Sequence, residues 1–538
     1  MAGNPKIGPE DLNVVINFGG GLSTKASPND IDIREASDGQ NFLIDLQNRN
    51  LRPRPAFDKI GTVPNTSSIL GGGSLLKSDG TVTTLFQAGD TVYSWDGQTT
   101  FTSKGTVAAT AKLRGHWKSH VWNLTDELLF TDLNLADTVK KWNGTAFSNV
   151  TFTKETTSGF GTFYAKYLNV SNERAIFYNI KDGSGSFPHL IVGSARGDAV
   201  GYTEISVANR PSSSLSTSDP FFLLAPDLKP INGAIEAFGT AMVSTEKGVI
   251  FKLSGSSAKD FAFDPFYPQS AASGSEAIEE VGNDIIYGRP GRIESIRDTN
   301  TFGNAISSDV SRVIADQIQA YTGWTAVFNS RLRHLYMFPT GVSEVWVLDT
   351  ALRDAGQLSP WMRFKTDHSM GFQPTFAMSM LDPIDGLEYV FMGDSSGNVY
   401  RLEGTGTSGD GGTNQINMQY KTRLFSARLD SKAYQLEGYV KYARQTAFTI
   451  NLTFLYQGEN VFDKSVSVTL PAAGSASYYN STAYYSGNFY YGDLSGRLSR
   501  KTFIPPGQES DFQVLIEVVG NSDFAINEIG LRFRAASG

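Results

Sequence analysis

The chain reads as an all-β protein: a β-propeller of about seven blades, with six to eight admitted, then a C-terminal β-sandwich and one short helix. Three observations carry this reading. A short phrase recurs from residue 84 to residue 404, a Gly-rich stretch at 404–413 interrupts the chain, and strict in/out alternation begins after it. In the phrase, an apolar run meets a Gly/Asp/Asn turn, then returns as a second run carrying Trp or Tyr and closing on Gly. It is clearest at 84–97 and 128–144, with looser copies at 189–206, 240–255, 284–298, 332–350 and 388–404. Each copy is two alternating strands that cannot bury their apolar face alone. Repeats of roughly 40–60 residues made of strands are the signature of a propeller.

Before the repeats, residues 1–62 form an N-terminal arm with clamp strands: a polar arm, a strand, the Gly19-Gly20-Gly21 turn, a second strand and the Pro-locked exit at 51–55. The strands of 17–45 have no local partner, and unpaired strand edges are costly. They are expected to pair with the propeller or the sandwich and to clamp the chain ends together. The propeller is expected over 63–404, a Gly-rich linker over 405–414 and the sandwich domain over 415–538. Asp309–Ile318 places Val310, Val313, Ile314 and Ile318 on one helical face, with Ser307 or Ser308 as N-cap. Within 415–538, the stretches 448–456, 464–470, 511–518 and 528–534 alternate apolar and polar as sandwich strands do. Proteolysis near the linker is expected to release a folded C-terminal piece.

At 538 residues the chain is long enough for two or more domains. Cys 0 rules out disulfides, thiolate nucleophiles and Cys-ligated zinc. A formal net charge of -8 argues against a basic grip on nucleic acid, yet leaves room for an acidic wall that faces DNA without holding it. The N-terminus lacks the apolar core of a secretory signal, so synthesis and assembly in a cytoplasm are expected.

Several motifs resemble sites. Gly404, Gly406 and Gly409 spell G-x-G-x-x-G, but strand-forming sequence follows instead of the helix that a pyrophosphate needs, so they read as linker. Ser74–Lys77 and Ser256–Lys259 match S-x-x-K without a helix or partner motifs, and read as coincidence. Of the histidines His116, His120, His189, His334 and His368, the first two sit at i and i+4. On a strand they would stand roughly 13 Å apart, too far to share a metal. Asp382–Gly386 and Asp394–Asn398 put carboxylates beside Gly as calcium loops do, and equally as Asx turns do. No catalytic, cofactor or metal residues are assigned. The interface candidates are Tyr478, Tyr479, Tyr484, Tyr485, Tyr490 and Tyr491, in a stretch that reads either as a contact surface or as a hairpin covering the sandwich.

The N-terminal sequence carries a resemblance. Asn17-Phe18-Gly19-Gly20-Gly21-Leu22, the acidic loop into Glu35–Leu46 with Asn41, and Leu51-Arg52-Pro53-Arg54-Pro55 resemble the start of the tail nozzle proteins of short-tailed bacteriophages, also called packaged-DNA stabilisation proteins. Ala56 stands where that pattern prefers Gly, which bears on the turn after Pro55. The resemblance extends loosely over most of the chain. It implies a virion structural protein and not an enzyme: a homo-oligomeric ring, sixfold, beneath the portal and the head-to-tail adaptor protein. Such a ring carries tail spikes or fibres, and retains and conducts double-stranded DNA without sequence-specific binding and without cofactors. The competing readings are a receptor- or carbohydrate-binding propeller acting as an adhesin, and a glycan-hydrolysing propeller, which would need a converging Asp/Glu pair.

Overall fold

The computed structural model describes residues 11–45, 50–116, 126–150, 152–153, 163–183, 185–197, 202–203, 210–267, 272, 274–299, 304–355, 358–402, 409–412, 414–426, 433–444, 448–456, 463–470, 499–503, 505, 511–519 and 524–535. Strands dominate them, and they build a seven-bladed β-propeller with a two-sheet sandwich against its side. Each blade has four antiparallel strands. Blade 1 runs from Ile69–Leu76 to Phe101–Thr106, blade 2 from Leu113–Gly115 to Phe147–Asn149, and blade 3 from Tyr164–Ser171 to Phe221–Leu224. Blade 4 runs from Ile231–Ala237 to Ala262–Tyr267, blade 5 from Ile278–Glu280 to Asn304–Asp309, and blade 6 from Trp324–Asn329 to Trp361–Lys365. The inner strand of each blade packs on the next, except that blade 2 meets blade 3 through its second strand (Leu128–Asp132), and the inner strand of blade 7 (Phe376–Leu381) returns to blade 1, which closes the ring.

The recurring phrase marks the second and third strands of a blade. Its closing Gly sits in the left-handed region, at φ 85° for Gly97 and φ 87° for Gly144. The preceding side chain fixes the turn: Asp96 Oδ1 accepts from the N–H of Gln98 (2.8 Å) and Thr100 (3.0 Å), and Asn143 Oδ1 from those of Thr145 (3.0 Å) and Ala146 (2.8 Å). Gly adopts this conformation without steric cost, which is why the phrase ends on it. In blade 3 the 189–206 phrase is out of frame, because strands two and three are Arg174–Lys181 and Ser186–Gly193. Middle strands such as His334–Pro339 and Glu344–Asp349 are buried at every position, pressed between neighbouring blades on both faces.

Three boundaries differ from the sequence reading. Asp58–Thr62, assigned above to the N-terminal arm, is the outer strand of blade 7 and pairs with Asn398–Arg401. The propeller therefore begins at residue 58 and is locked by its own first strand. The sandwich is not confined to 415–538. Asp11–Asn17 pairs along Phe524–Ala535, Asn50–Pro53 joins the same sheet, and Ala36–Gln40 lies on Asn417–Thr422 in the other. The clamp expected from the unpaired N-terminal strands is thus made, and it is made mainly with the sandwich. Finally, the helix is shorter than its periodicity suggests. Asp309 ends a strand and accepts from Ser311 N–H (3.0 Å), so the turn begins at Arg312–Ile314 and becomes α-helical only at Ala315–Ile318. The apolar face was correctly read, since Ile314 and Ile318 are buried, with Val310 and Val313 against the same core. A second short helix, Thr350–Ala355, follows Asp349, whose carboxylate accepts from Ala351 and Leu352 N–H.

One hydrophobic core runs without a break from the sandwich (Ile16, Phe42, Tyr420, Leu452, Ile529) into blades 5 and 6 (Ile285, Trp346, Trp361). The N-terminal strap makes this join along the outer edge of blade 6. The N–H groups of Gly21, Leu22 and Asn41 donate to the carbonyls of Ser359, Trp361 and Arg363 at 2.7–2.8 Å. A Cβ at Gly21 would lie 2.0 Å from the Trp361 carbonyl oxygen, so only Gly permits this approach.

Candidate functional site at the propeller axis and its buttress

The inner strands enclose two connected cavities on the propeller axis. One, of about 420 Å³, lies where those strands end, and includes Asn169, Glu236, Glu279, Glu280 and Ser379. The other, of about 200 Å³, lies where they begin, and includes Arg114, Lys166, Glu276 and Thr325. Arg114, in blade 2, reaches across the axis to Glu276, which precedes the inner strand of blade 5. Its guanidinium also donates to the carbonyls of Leu70 and Leu113 (2.9 Å each) and lies 5.1 Å from the Phe376 ring centre. Burial on its own would raise the Glu276 carboxyl, but the Arg114 charge outweighs it and holds the group below its ordinary value. The ion pair thus bars the axis between nearly opposite blades.

Small residues make the blade 1–blade 2 seam possible. Blades 1 and 2 share an eight-stranded sheet through one parallel pairing, Arg114 with Gly72. A Cβ at Gly71 would meet the Leu113 carbonyl at 2.3 Å, and one at Gly73 the Gly115 Cα at 2.8 Å. His116 follows directly, with Nε2 3.0 Å from Thr131 Oγ1. Burial, aided by the Arg114 charge, lowers its pKa to about 3, so the ring is neutral at pH 7.

The buttress is the other concentration of charge. Arg54 is fully enclosed and pairs with Asp410 through both terminal nitrogens, Nη1 at 2.7 Å. Its Nε donates to Asn41 Oδ1 (2.9 Å), and Nη2 to the Lys365 carbonyl (2.9 Å). Asn41 in turn donates to the Asn417 carbonyl and accepts from Lys365 N–H. These donors thus reach three separate parts of the chain, at Asn41, Lys365 and Asp410, and Nη1 also donates to the neighbouring Pro55 carbonyl (3.0 Å). Asp410 lies inside the stretch read as linker, which is therefore pinned at its centre instead of free.

The structure disperses the other motifs. Ser74 is buried in an inner strand and accepts from Leu381 N–H (2.9 Å), while Ser256 and Ser257 lie in a turn where both N–H groups donate to the Asp260 carboxylate. His116 is in blade 2, His189 in blade 3 and His334 in blade 6, whereas His368 packs on Phe57 and Tyr400. Asp382 accepts from Ile384 N–H and pairs with Arg401, and Asp394 accepts from Ser396 and Asn398 N–H. Their oxygens are taken up by these turns and by Arg401. Gly404, Gly406, His120 and all six interface tyrosines (478, 479, 484, 485, 490, 491) lie outside the described residues. The axial residues Arg114, Glu276, Glu236 and Glu279 were missed, because sequence gives no sign that blades 2 and 5 face each other. The Gly-Gly-Gly at 71–73 was the one local signal of a crowded axis.

No protein-family model and no curated protein sequence matches the chain. Among solved structures it is similar to virginiamycin B lyase from Staphylococcus aureus, at 10% identity and TM-score 0.41, over 64% of this chain and 98% of that one. It is also similar to the WD40 domain of Toxoplasma gondii coronin, at 9% identity and TM-score 0.36, over 68% of this chain and 86% of that one. Both similarities are remote, and the blade pairing itself establishes the propeller.

Proposed function

We propose that this chain is a structural virion protein: a tail nozzle subunit that closes, in six copies, into a ring beneath the portal and adaptor rings. The ring retains and conducts packaged DNA, carries spikes or fibres, and performs no chemistry. One observation carries the reading. The residues that resemble the nozzle family (Gly19–Leu22, Asn41 and Arg52–Pro55) are the ones that join propeller to sandwich. A segment that turns two β-domains into one rigid bracket suits a wall that must resist the pressure of a packed genome. Net charge -8 supports it further, since an acidic surface repels phosphates and lets DNA slide.

The conduit in this proposal is the opening among subunits and not the propeller axis. An axial cavity of about 420 Å³, barred by Arg114–Glu276, has no room for a duplex whose major groove alone is about 12 Å wide. Particles assembled without this chain should package genomes and then lose them. Normal genome retention in such particles would refute the proposal. A second reading, a receptor- or carbohydrate-binding propeller, is favoured by the concave polar sites on the propeller.

A further inference from the structure

Between blades 5 and 6 lies a cavity of about 620 Å³, within the size range of small-molecule sites. Its wall is a relay of alternating charges that starts deep and ends at the rim. Asp284 is buried and accepts from Arg353 Nη1 (2.9 Å), Arg353 Nη2 approaches Asp354 Oδ1 (3.5 Å), and Asp354 Oδ2 accepts from Arg333 Nη2 (2.6 Å). Asp284 also accepts from Ser295 Oγ, which fixes the deep end. Arg333 and Asp354 are about half exposed and accessible from the cavity, as is Asn283 beside Gly282. Phe328 is half-buried in the same wall.

The rim arginine is held in an unusual backbone. Arg333 has φ 59°, a left-handed conformation that is uncommon for a side chain of this size. Both the N–H and the hydroxyl of Thr350 donate to its carbonyl at 2.9 Å, so the turn is fixed by the Thr350–Ala355 helix. The backbone that presents Arg333 is thus set before any ligand arrives, which lowers the cost of binding.

Its chemistry narrows the ligand. The two arginines are matched by two aspartates, so there is no net positive charge to hold a phosphate or sulfate. The aspartates are engaged by guanidinium groups, and among the described residues no three of His, Cys, Asp and Glu are grouped to hold a metal. What the wall offers is donors and acceptors side by side, next to an aromatic ring. A vicinal diol is the complement, because each hydroxyl both donates and accepts, and a pyranose adds an apolar C–H face for Phe328.

We propose that this cavity is a saccharide site, taking a neutral hexose unit through Arg333, Asp354 and Asn283, with Phe328 under the ring. The proposal is independent of the ring assembly, since a nozzle wall and a free adhesin could each present the site.

The test is saturation-transfer NMR on the full chain with D-glucose, D-galactose, D-mannose and N-acetyl-D-glucosamine as separate probes. At least one should bind in the millimolar range and resist competition by inorganic phosphate. Asp354→Ala and Arg333→Met, each confirmed folded by its melting curve, should weaken that binding about tenfold or more. Asn283→Ala, which touches no ion pair, guards against a purely structural loss and should weaken it as well. The proposal is overturned if none of the four sugars binds at tens of millimolar. It is equally overturned if phosphate displaces the sugar, or if binding survives all three substitutions.

Discussion

Arg54 and Asp410, 356 residues apart, form a two-pronged ion pair that is closed to solvent at the junction of strap, propeller and sandwich. A buried pair of this kind contributes little net stability by itself, because both charges lose their water. Its effect is on geometry: the pair satisfies both groups only when the strap, the 409–412 turn and blade 6 are all in place.

Arg54→Met and Asp410→Asn should therefore each destabilise the fold by about 3–5 kcal/mol, since each strands a buried partner. Arg54→Met combined with Asp410→Asn should cost clearly less than the sum of the single changes. Urea denaturation of the four proteins checks this. Single changes that cost under about 1 kcal/mol would mean that the pair is not enclosed as described.

Cutting the chain between propeller and sandwich should not separate them. With residues 405–407 replaced by a specific protease site, the nicked protein should elute as one particle and melt near the intact temperature. The sandwich sheets contain Asp11–Asn17 and Ala36–Gln40, which remain attached to the propeller. Release of a folded C-terminal fragment, the outcome that the sequence first suggests, would contradict the shared core.

These cases show what was legible and what was not. The turns at Gly97 and Gly144 were readable because a left-handed φ demands Gly and an Asx side chain within a few residues. The pairing of Asp58–Thr62 with Asn398–Arg401 was not, since ring closure joins segments with no local signature of each other. The Gly-rich stretch looked like a free linker because its anchors, Asp410 on Arg54 and Gly411 N–H on the Phe57 carbonyl (2.9 Å), have partners more than 350 residues earlier in the chain. The Asp309–Ile318 periodicity gave the buried face but not the start of the helix, which the side chain of Asp309 sets.

His116 should make the fold acid-sensitive. Its folded pKa lies near 3 against 6.5 when unfolded, so between those values the unfolded chain takes up a proton that the folded chain refuses. The contribution is fully present above pH 6.5 and is lost as pH falls toward 3, with a slope approaching about 1.4 kcal/mol per pH unit. Glu276 acts in the same direction at lower pH, since its folded value lies below the ordinary 4.5. In urea titrations from pH 7 to pH 5, His116→Asn should show a flatter loss of stability than the parent. Parallel curves would mean that His116 is protonated in the folded state.

The most direct test of the central claim is electron microscopy of the purified full chain, at a concentration that allows assembly. Sixfold rings with an open central lumen are the expected result, with no rings from a variant lacking residues 1–55, whose strap and sandwich strands are gone. Particles that stay monomeric under all conditions, or assemblies without a central opening, would contradict the nozzle reading.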